Sequence, residues 1–330
     1  MSRWTLGALL IVSLVLAVIL GVRLGSVSLT SLEVMDALAG RGDPVARDIV
    51  VRLRLPRVLL GVLVGGGLAV SGATFQALLR NPLAEPYILG ISGGASVGAV
   101  LVLAFGWVAA GSWALPLAAF AGALLAIALV FRVATATGRA MDVRVLLLAG
   151  VVVAAFFSAC IAFILSISPA RTVQSAVLWI MGSLSGATWR SVLLTTVYTT
   201  PAVVVLLGLA RSLNLLAIGE ETAHHLGADV EGVKRTSLAV AALITASGVA
   251  VAGVVGFVGL VVPHAVRLLV GSDHRSLLPL SFLAGAAFLT LADLAARLAL
   301  APTEIPIGVI TAFVGVPFFL VLLRRSTGAS

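Results

Sequence analysis

The chain has 330 residues, of which 61% are hydrophobic and only 10% are charged, and its mean hydropathy is +1.20. Soluble domains average roughly 45–50% apolar and about 25% charged residues, so this composition excludes an ordinary soluble domain and indicates a membrane protein. The formal net charge of +8 is spread over many polar segments. This spread favours contact with anionic lipid and acidic partners, and argues against nucleic acid.

Uncharged stretches of bilayer-spanning length recur along the chain. A helix needs about 17 to 25 predominantly apolar residues to cross the hydrocarbon core. The stretches are residues 4–22, 58–79, 145–170, 191–210, 236–266, 276–292 and 305–323. The uncharged run 86–131 is about twice as long as one span, and we expect the region of Pro116 to divide it into a short span and a full one.

Two of these stretches need interpretation. Residues 4–22 are longer than the apolar core of a usual signal peptide and lack a convincing cleavage site, so we interpret them as the first span. In the stretch 236–266, Gly253, Gly256 and Gly259 followed by Pro263 predict a helix break, which survives at membrane depth only when protein or a cavity covers it. The sequence therefore predicts an all-α polytopic bundle of about ten transmembrane helices in one domain, residues 1–330.

An even number of spans places both termini on one side of the membrane. With cytoplasmic termini, twelve basic residues lie inside and nine outside, which agrees with the positive-inside rule. Six of the nine outer residues lie in the first outer loop, residues 23–57. That cluster of arginines requires an explanation of its own.

Several energy sources and chemistries are excluded by missing residues. The single lysine, Lys234, does not stand in a phosphate-binding loop. Asp293 is the only acid inside a proposed span, and Arg297 four residues later predicts an ion pair with it. Ion-driven transporters usually keep ionisable residues at mid-membrane. We predict no catalytic, cofactor or metal site, and we interpret Cys160 as a small core residue.

One polar segment, residues 211–235, stands out between two apolar stretches. Gly219 and Gly227 can make tight turns, and Glu220 and Glu221 favour the N-terminus of a short helix between them. A polytopic protein without its own energy source but with such a segment suggests a transport subunit worked by a separate ATPase.

Six blocks of sequence in a fixed order carry a resemblance to a known family. They read RLPR at 54–57, RNPLAEPYILG at 80–90 with SGGA at 92–95, GEETA at 219–223 with LG at 226–227, GLVVPH at 259–264, GSDHR at 271–275 and EIPIGV at 304–309. Over nearly its whole length the chain resembles the FecCD family of ABC importer permeases. These proteins carry vitamin B12, haem and iron-siderophore complexes across the bacterial inner membrane.

The resemblance implies a ten-helix permease that pairs with a second copy and joins two cytoplasmic ATPase subunits, which hold the ATP and Mg. It also implies that the segment between spans six and seven, residues 215–227, forms short coupling helices seated on the ATPase. The coupling residues would be Leu215, Gly219, Glu220, Glu221, Thr222, Ala223, Leu226 and Gly227. Lys234 and Arg235 would then mark the cytoplasmic start of span seven.

The resemblance also offers an explanation for the outer arginines. Family members receive cargo from a periplasmic binding protein with exposed carboxylates, and the matching arginines here are Arg54, Arg57 and Arg297. Arginine recognises carboxylate bidentately, whereas the alternative is that these side chains anchor span ends at lipid headgroups. The family places span five, residues 145–166, beside the pathway, and we expect residues 172–189 to form an outer re-entrant or gating helix.

Other interpretations remain open at this point. An ion-coupled secondary transporter of a bulky solute, a membrane enzyme and a structural membrane protein are the alternative classes. We expect His264, beside the predicted break, to be a structural hydrogen-bonded residue, and Glu85 to cap a helix or border the coupling surface. The cargo is open among cobalamin, haem and ferric siderophores.

Overall fold

The computed structural model describes residues 2–107, 113–135 and 141–327. Within these ranges the chain is helical and contains no β-strand. The α-helices in the described ranges are α1 (Arg3–Arg23), α2 (Ser31–Leu38), α3 (Pro44–Arg47), α4 (Leu55–Leu78), α5 (Ile91–Ala104), α6 (Ala114–Thr135), α7 (Val143–Ser166), α8 (Ala170–Ile180), α9 (Trp189–Gly208), α10 (Ala210–Ile218), α11 (Glu220–His225), α12 (Val230–Ala252), α13 (Val258–Val270), α14 (His274–Leu298) and α15 (Ile307–Thr327). A π-helix (Asp48–Arg54) leads into α4, and a 3₁₀ turn (Pro86–Leu89) precedes α5.

The helix lengths confirm the predicted polytopic bundle. Among the described residues, seven helical segments are long and apolar enough to cross a membrane, and α5, α13 and α15 contribute three shorter apolar helices. These ten elements match the predicted spans, including the division of the long uncharged run into the short α5 and the full-length α6. Residues 108–112 between them lie outside the described residues, whereas Pro116 lies in the first turn of α6.

The helix break predicted in the stretch 236–266 is present. It lies between Ala252 and Val258, and Pro263 does not contribute to it. Helix α12 ends at Ala252, Gly253 has a φ of +67°, and α13 begins after Phe257, which has a φ of +69°. Any Cβ at Gly253 would overlap the backbone carbonyl oxygen of Trp179. Glycine is therefore required at this turn both by its φ and by the close approach of a second chain segment.

Pro263 lies inside α13 and does not mark the break, and His264 follows it within the same helix. The helix continues because a neighbour satisfies the backbone group that proline leaves unpaired. Proline has no N–H to donate to the carbonyl four residues earlier, which is that of Gly259. Gln76 Nε2 lies 3.4 Å from this Gly259 oxygen and 3.2 Å from the Leu260 oxygen.

Helix α4 is the centre of the bundle. Nineteen of its 24 residues are buried, compared with five of the 24 residues of α7. Its glycines permit backbone contact with two neighbours: a Cβ on Gly65 would overlap the Gly285 oxygen of α14, and a Cβ on Gly72 would overlap the Gly259 oxygen of α13. Close approach at small residues is the usual basis of helix association in membranes.

We predict that Gly65→Ala destabilises the bundle by about 1–3 kcal/mol, because an added methyl group overpacks the contact with Gly285. Gly61→Ala in the same helix is the matched control, since its new Cβ would lie 3.4 Å from the nearest atoms of Leu184 and Thr290, an ordinary contact. Thermal unfolding in detergent measures both variants. Equal melting temperatures for the two would contradict this view of the α4–α14 contact.

Candidate functional site

The predicted coupling segment forms two short helices that meet at a sharp turn. Helix α10 ends at Ile218, Gly219 takes a φ of +147°, and α11 begins at Glu220. Gly227, with a φ of +82°, ends the second helix as the chain turns towards α12. Both glycines therefore occupy backbone conformations that side-chain-bearing residues rarely adopt.

The predicted coupling residues divide into an outward and an inward set. Glu221, Thr222, Leu226 and Gly227 are exposed, whereas Ala223 is buried and Leu215, Gly219 and Glu220 are partly buried. The apolar side chains of Ile218 and Leu226 are also largely exposed. The outward set therefore offers a mixed apolar and acidic surface to a partner, while the inward set attaches the two helices to the bundle.

Glu220 attaches α11 to the bundle through two cations. Its Oε1 lies 3.3 Å from Arg80 Nη2, just after the end of α4, and its Oε2 lies 2.8 Å from Lys234 Nζ in α12. Only 3% of the Lys234 side chain is exposed, and its ammonium group also contacts Glu231 and the Met141 carbonyl oxygen. This buried lysine is fully surrounded by acceptors, which is how a buried charge is tolerated.

Asn214 attaches α10 to the start of α14. Its Nδ2 donates to Asp273 Oδ1 at 2.7 Å, and its Oδ1 accepts from the His274 backbone N–H at 2.8 Å and lies 2.7 Å from His274 Nδ1. The amide hydrogen bond from Asn214, together with the Arg275 backbone N–H, holds the pKa of Asp273 below its usual range. The block GSDHR at residues 271–275 thus provides the polar groups that hold α10 against the start of α14.

Sequence reasoning missed Arg80, Asn214 and the role of Lys234 in this arrangement. Lys234 does lie near the start of span seven, as predicted, but it also pairs with Glu220, fourteen positions earlier. Neither helical periodicity nor a motif spacing connects these residues. The one available signal was that a chain otherwise using arginine keeps a single lysine at this position.

The three arginines predicted to dock a binding protein lie together where α1 ends, α4 begins and α14 ends. Arg57 donates to Asp293 at 2.9 Å and to Glu304 at 2.8 Å. Arg297 Nε lies 3.1 Å from Asp293 Oδ2, which confirms the predicted i, i+4 pair. Arg54 donates to the backbone oxygens of Val22, Arg23 and Val27.

The three arginine side chains of this cluster are largely buried and point towards acceptors within the protein. Arg54 and Arg297 are 5% and 6% exposed, and the Arg57 side chain is 11% exposed, whereas that of Glu304 is 39% exposed. Three cations face two carboxylates, so the cluster keeps an excess of one positive charge. The predicted docking role of these arginines remains a prediction, and in this structure they hold the protein's own carboxylates and carbonyl groups. Four other arginines of the first outer loop have exposed side chains: Arg23, Arg41, Arg47 and Arg52.

Glu85 supports the helix break from across the chain. Its Oε1 accepts from the Phe257 backbone N–H at 2.7 Å, at the N-terminus of α13, and the neighbouring Tyr87 hydroxyl donates to the Val255 oxygen at 3.2 Å. The expectation that Glu85 caps a helix is confirmed. Two polar side chains thus satisfy irregular backbone that would otherwise be unpaired at membrane depth.

An apolar cavity of about 600 Å³ lies beside this break. It is lined by the end of α8, the turn after α12, and α15, through Ile180, Met181, Val254, Gly256, Phe257, Gly308, Val309, Ala312, Phe313, Val316 and Pro317. Helix α8 covers the first part of the predicted gating segment 172–189. The residues lining the cavity do not include any from α7, so the pathway role of α7 stays a prediction.

Comparisons with known proteins agree with this architecture. A model of the FecCD transport family matches residues 12–325. The cobalamin import system permease protein BtuC of Halobacterium salinarum is 48% identical over 279 residues, which cover 84% of this chain and 74% of that protein. The hemin transport system permease protein HmuU of Yersinia pestis is 40% identical over 335 residues, which cover 98% of this chain and 96% of that protein.

A solved structure shows the same fold. An ABC transporter of the metal-chelate type, in an inward-facing conformation, superposes with a TM-score of 0.87 at 33% identity and covers 98% of this chain and 100% of that one. The family model extends over nearly all of the chain, including α10, α11 and the arginines Arg54, Arg57 and Arg297. The chain therefore belongs to the FecCD transport family.

Proposed function

We propose that this chain is the transmembrane permease subunit of an ATP-binding cassette importer, which moves cobalamin, haem or a ferric siderophore from a periplasmic binding protein into the cytoplasm. The observation that carries the proposal is the pair α10–α11. These helices present an exposed mixed surface, and polar contacts fix them to α4, α12 and α14. The names of the relatives, one a cobalamin permease and one a hemin permease, support the cargo class.

The energy for transport would come from two cytoplasmic ATPase subunits, which would bind ATP and Mg, while this chain would have no catalytic role. The coupling surface supports this division of labour because its outward residues lack partners within the described chain that would cover them: Ile218 and Leu226 are 69% and 62% exposed. A partner with an apolar cleft would bury them, and burial of such side chains contributes about 1.5–3 kcal/mol each.

A second copy of the chain would complete the pathway. The cavity beside the α12–α13 break is open and apolar on the side of α15, where the Phe313 side chain is 74% exposed. A twofold pair would enclose such a surface and leave a wall of low polarity around a bulky cargo. Lipid would cover the remaining apolar faces of α1, α6 and α7.

The proposed location is the bacterial inner membrane with both termini in the cytoplasm. The pKa of Asp273, which the Asn214 hydrogen bond lowers most, is also lowered by the nearby charge of Arg3, at the end of the bundle that carries α10 and α11. This proximity supports an N-terminus on the ATPase side.

We expect uptake by the reconstituted permease to require ATP hydrolysis and to persist when ionophores remove ion gradients. The measurement is cargo uptake into proteoliposomes that contain the permease and its cognate ATPase, with an ATPase variant lacking its nucleotide-binding lysine as the control. Uptake that survives in the control and disappears with ionophores would instead support an ion-coupled secondary transporter.

We expect Glu221→Arg to weaken association with the ATPase by about five- to ten-fold, because this carboxylate is exposed on the proposed contact surface and takes no part in the internal contacts of Glu220. Asp48→Arg reverses another exposed carboxylate, which pairs with Arg52 far from the proposed contact surface, and serves as the control. Titration of the purified permease with ATPase measures both. If Glu221→Arg, or the double variant Glu220→Arg with Glu221→Arg, binds the ATPase with unchanged affinity, α11 is not part of the contact surface.

The docking role of the outer arginines can be tested with one variant that keeps all three arginines and one that removes Arg57. Glu304→Gln removes a carboxylate that competes for Arg57, so we expect faster association with the binding protein, by about two- to five-fold at low salt. Arg57→Gln should slow association and flatten its salt dependence. Stopped-flow association kinetics at several salt concentrations, with melting temperature as a folding control, measure both variants. If neither variant changes the association rate, Arg57 has no docking role.

A further inference from the structure

The two coupling helices are attached to two membrane helices, α4 and α14, that pack against each other. Helix α11 reaches the cytoplasmic end of α4 through Glu220 and Arg80. Helix α10 reaches the cytoplasmic start of α14 through Asn214, whose amide contacts both the N-cap residue Asp273 and the buried residue His274. Two separate polar contacts therefore join one surface segment to two helices that are remote from it in sequence.

The two receiving helices pack as one unit. A Cβ on Gly65 would overlap the Gly285 oxygen, and a Cβ on Gly285 would overlap the Gly65 oxygen. Backbones in such contact cannot slide past each other without a steric clash, and close-packed interiors transmit displacement instead of absorbing it. A displacement of the cytoplasmic end of the α4–α14 pair should therefore also displace the outer end of the pair.

The outer end of the same pair holds the segment that leads into α15. Arg57 of α4 contacts both Asp293 of α14 and Glu304, three positions before α15 begins at Ile307. Helix α15 in turn provides much of the wall of the apolar cavity. Contacts thus run continuously from the coupling helices, through α4 and α14, to the helix beside the cavity.

The covalent connections of the coupling helices offer a different route. Helix α10 follows α9 after Leu209, and α11 precedes α12 with four residues between them. The backbone would carry the displacement into α9 and α12, and the Glu220–Lys234 ion pair gives α11 a side-chain contact with α12 as well. The contacts of Asn214 instead oppose rotation of α10 away from α14.

We propose that Asn214 is a positioning residue that fastens the coupling helices to the α4–α14 pair, so that nucleotide-driven movement of these helices reaches the outer start of α15 through that pair. This inference rests on the proposed coupling to an ATPase. It adds the route by which the movement crosses the membrane.

The test compares three permeases in complex with the ATPase: Asn214→Ala, the exchanged double variant Asn214→Asp with Asp273→Asn, and the control Asn81→Ala. The exchange keeps the hydrogen-bond pattern with donor and acceptor reversed. The new carboxylate at 214 can accept from the His274 N–H and from the amide at 273, whose oxygen can still accept from the Arg275 N–H. Asn81 is an exposed asparagine whose side-chain oxygen accepts from the Leu83 N–H within its own turn.

Two readouts separate positioning from simple structural support. The first is cargo taken up per ATP hydrolysed in proteoliposomes. The second is the nucleotide-dependent change in the thiol-labelling rate of a cysteine placed at Thr303, in the outer segment before α15, in a chain that also carries Cys160→Ala. Melting temperature and copurification of the ATPase report folding and assembly.

We expect Asn214→Ala to assemble and hydrolyse ATP but to lower uptake per ATP by about five-fold or more and to abolish the nucleotide-dependent labelling change. The exchanged double variant should restore both readouts, and Asn81→Ala should change neither. Normal uptake per ATP and normal labelling in Asn214→Ala, or failure of the exchange to restore them in a folded complex, would overturn the inference. If the unaltered permease itself fails to bind the ATPase or to use ATP for uptake, the proposed function fails, and that result is distinct from these.

Discussion

The contact between Gly65 of α4 and Gly285 of α14 is the constraint on which most of the bundle depends. Lipid tails are as apolar as leucine, so the hydrophobic effect gives little reason for helices to associate within the bilayer. Close backbone packing supplies that reason, and it needs residues without a Cβ. Helix α4 is buried along most of its length, and a second backbone contact of the same kind, between Gly72 and Gly259, positions α13 against it.

Buried charges at one end of the α4–α14 pair fix the orientation of these two helices. Asp293 lies between Arg57 and Arg297, and its side chain is only 3% exposed. Removing one partner of a buried pair costs about 3–5 kcal/mol, whereas replacing the whole pair by apolar residues is often neutral. Such a cluster therefore contributes little net stability, but it permits only one arrangement of α4, α14 and the segment before α15. Outside this pair, the buried Lys234 likewise brings together α11, α12 and Met141.

The fold was predictable from the sequence to the extent that it depends on local pattern. Apolar runs gave the spans, glycine positions gave the α12–α13 break, and the i, i+4 spacing gave the Asp293–Arg297 pair. Pro263 was assigned wrongly because the amide of Gln76, 183 positions away from Gly259, satisfies the carbonyl that proline leaves free. The inward direction of Arg57 was also not predictable, because a sequence shows a charge but not whether Glu304 lies within reach of it. Polar contacts between residues far apart in sequence follow no helical or strand period, so no local sequence pattern predicts them.

The same long-range contacts explain how an irregular turn can border an apolar cavity. Where α12 stops, the Ala252 oxygen accepts from the Ser183 N–H at 2.8 Å, the Val255 oxygen accepts from Tyr87, and the Phe257 N–H donates to Glu85. Backbone groups left unpaired here would bind a passing cargo or cost several kcal/mol in a dry interior. Because the Ser183 backbone and the Tyr87 and Glu85 side chains pair these groups, the cavity wall is left to the apolar faces of Phe257 and α15. A pathway for bulky cargo needs such a wall, because tight binding within the membrane would slow release, whereas selective binding can be left to a partner outside it.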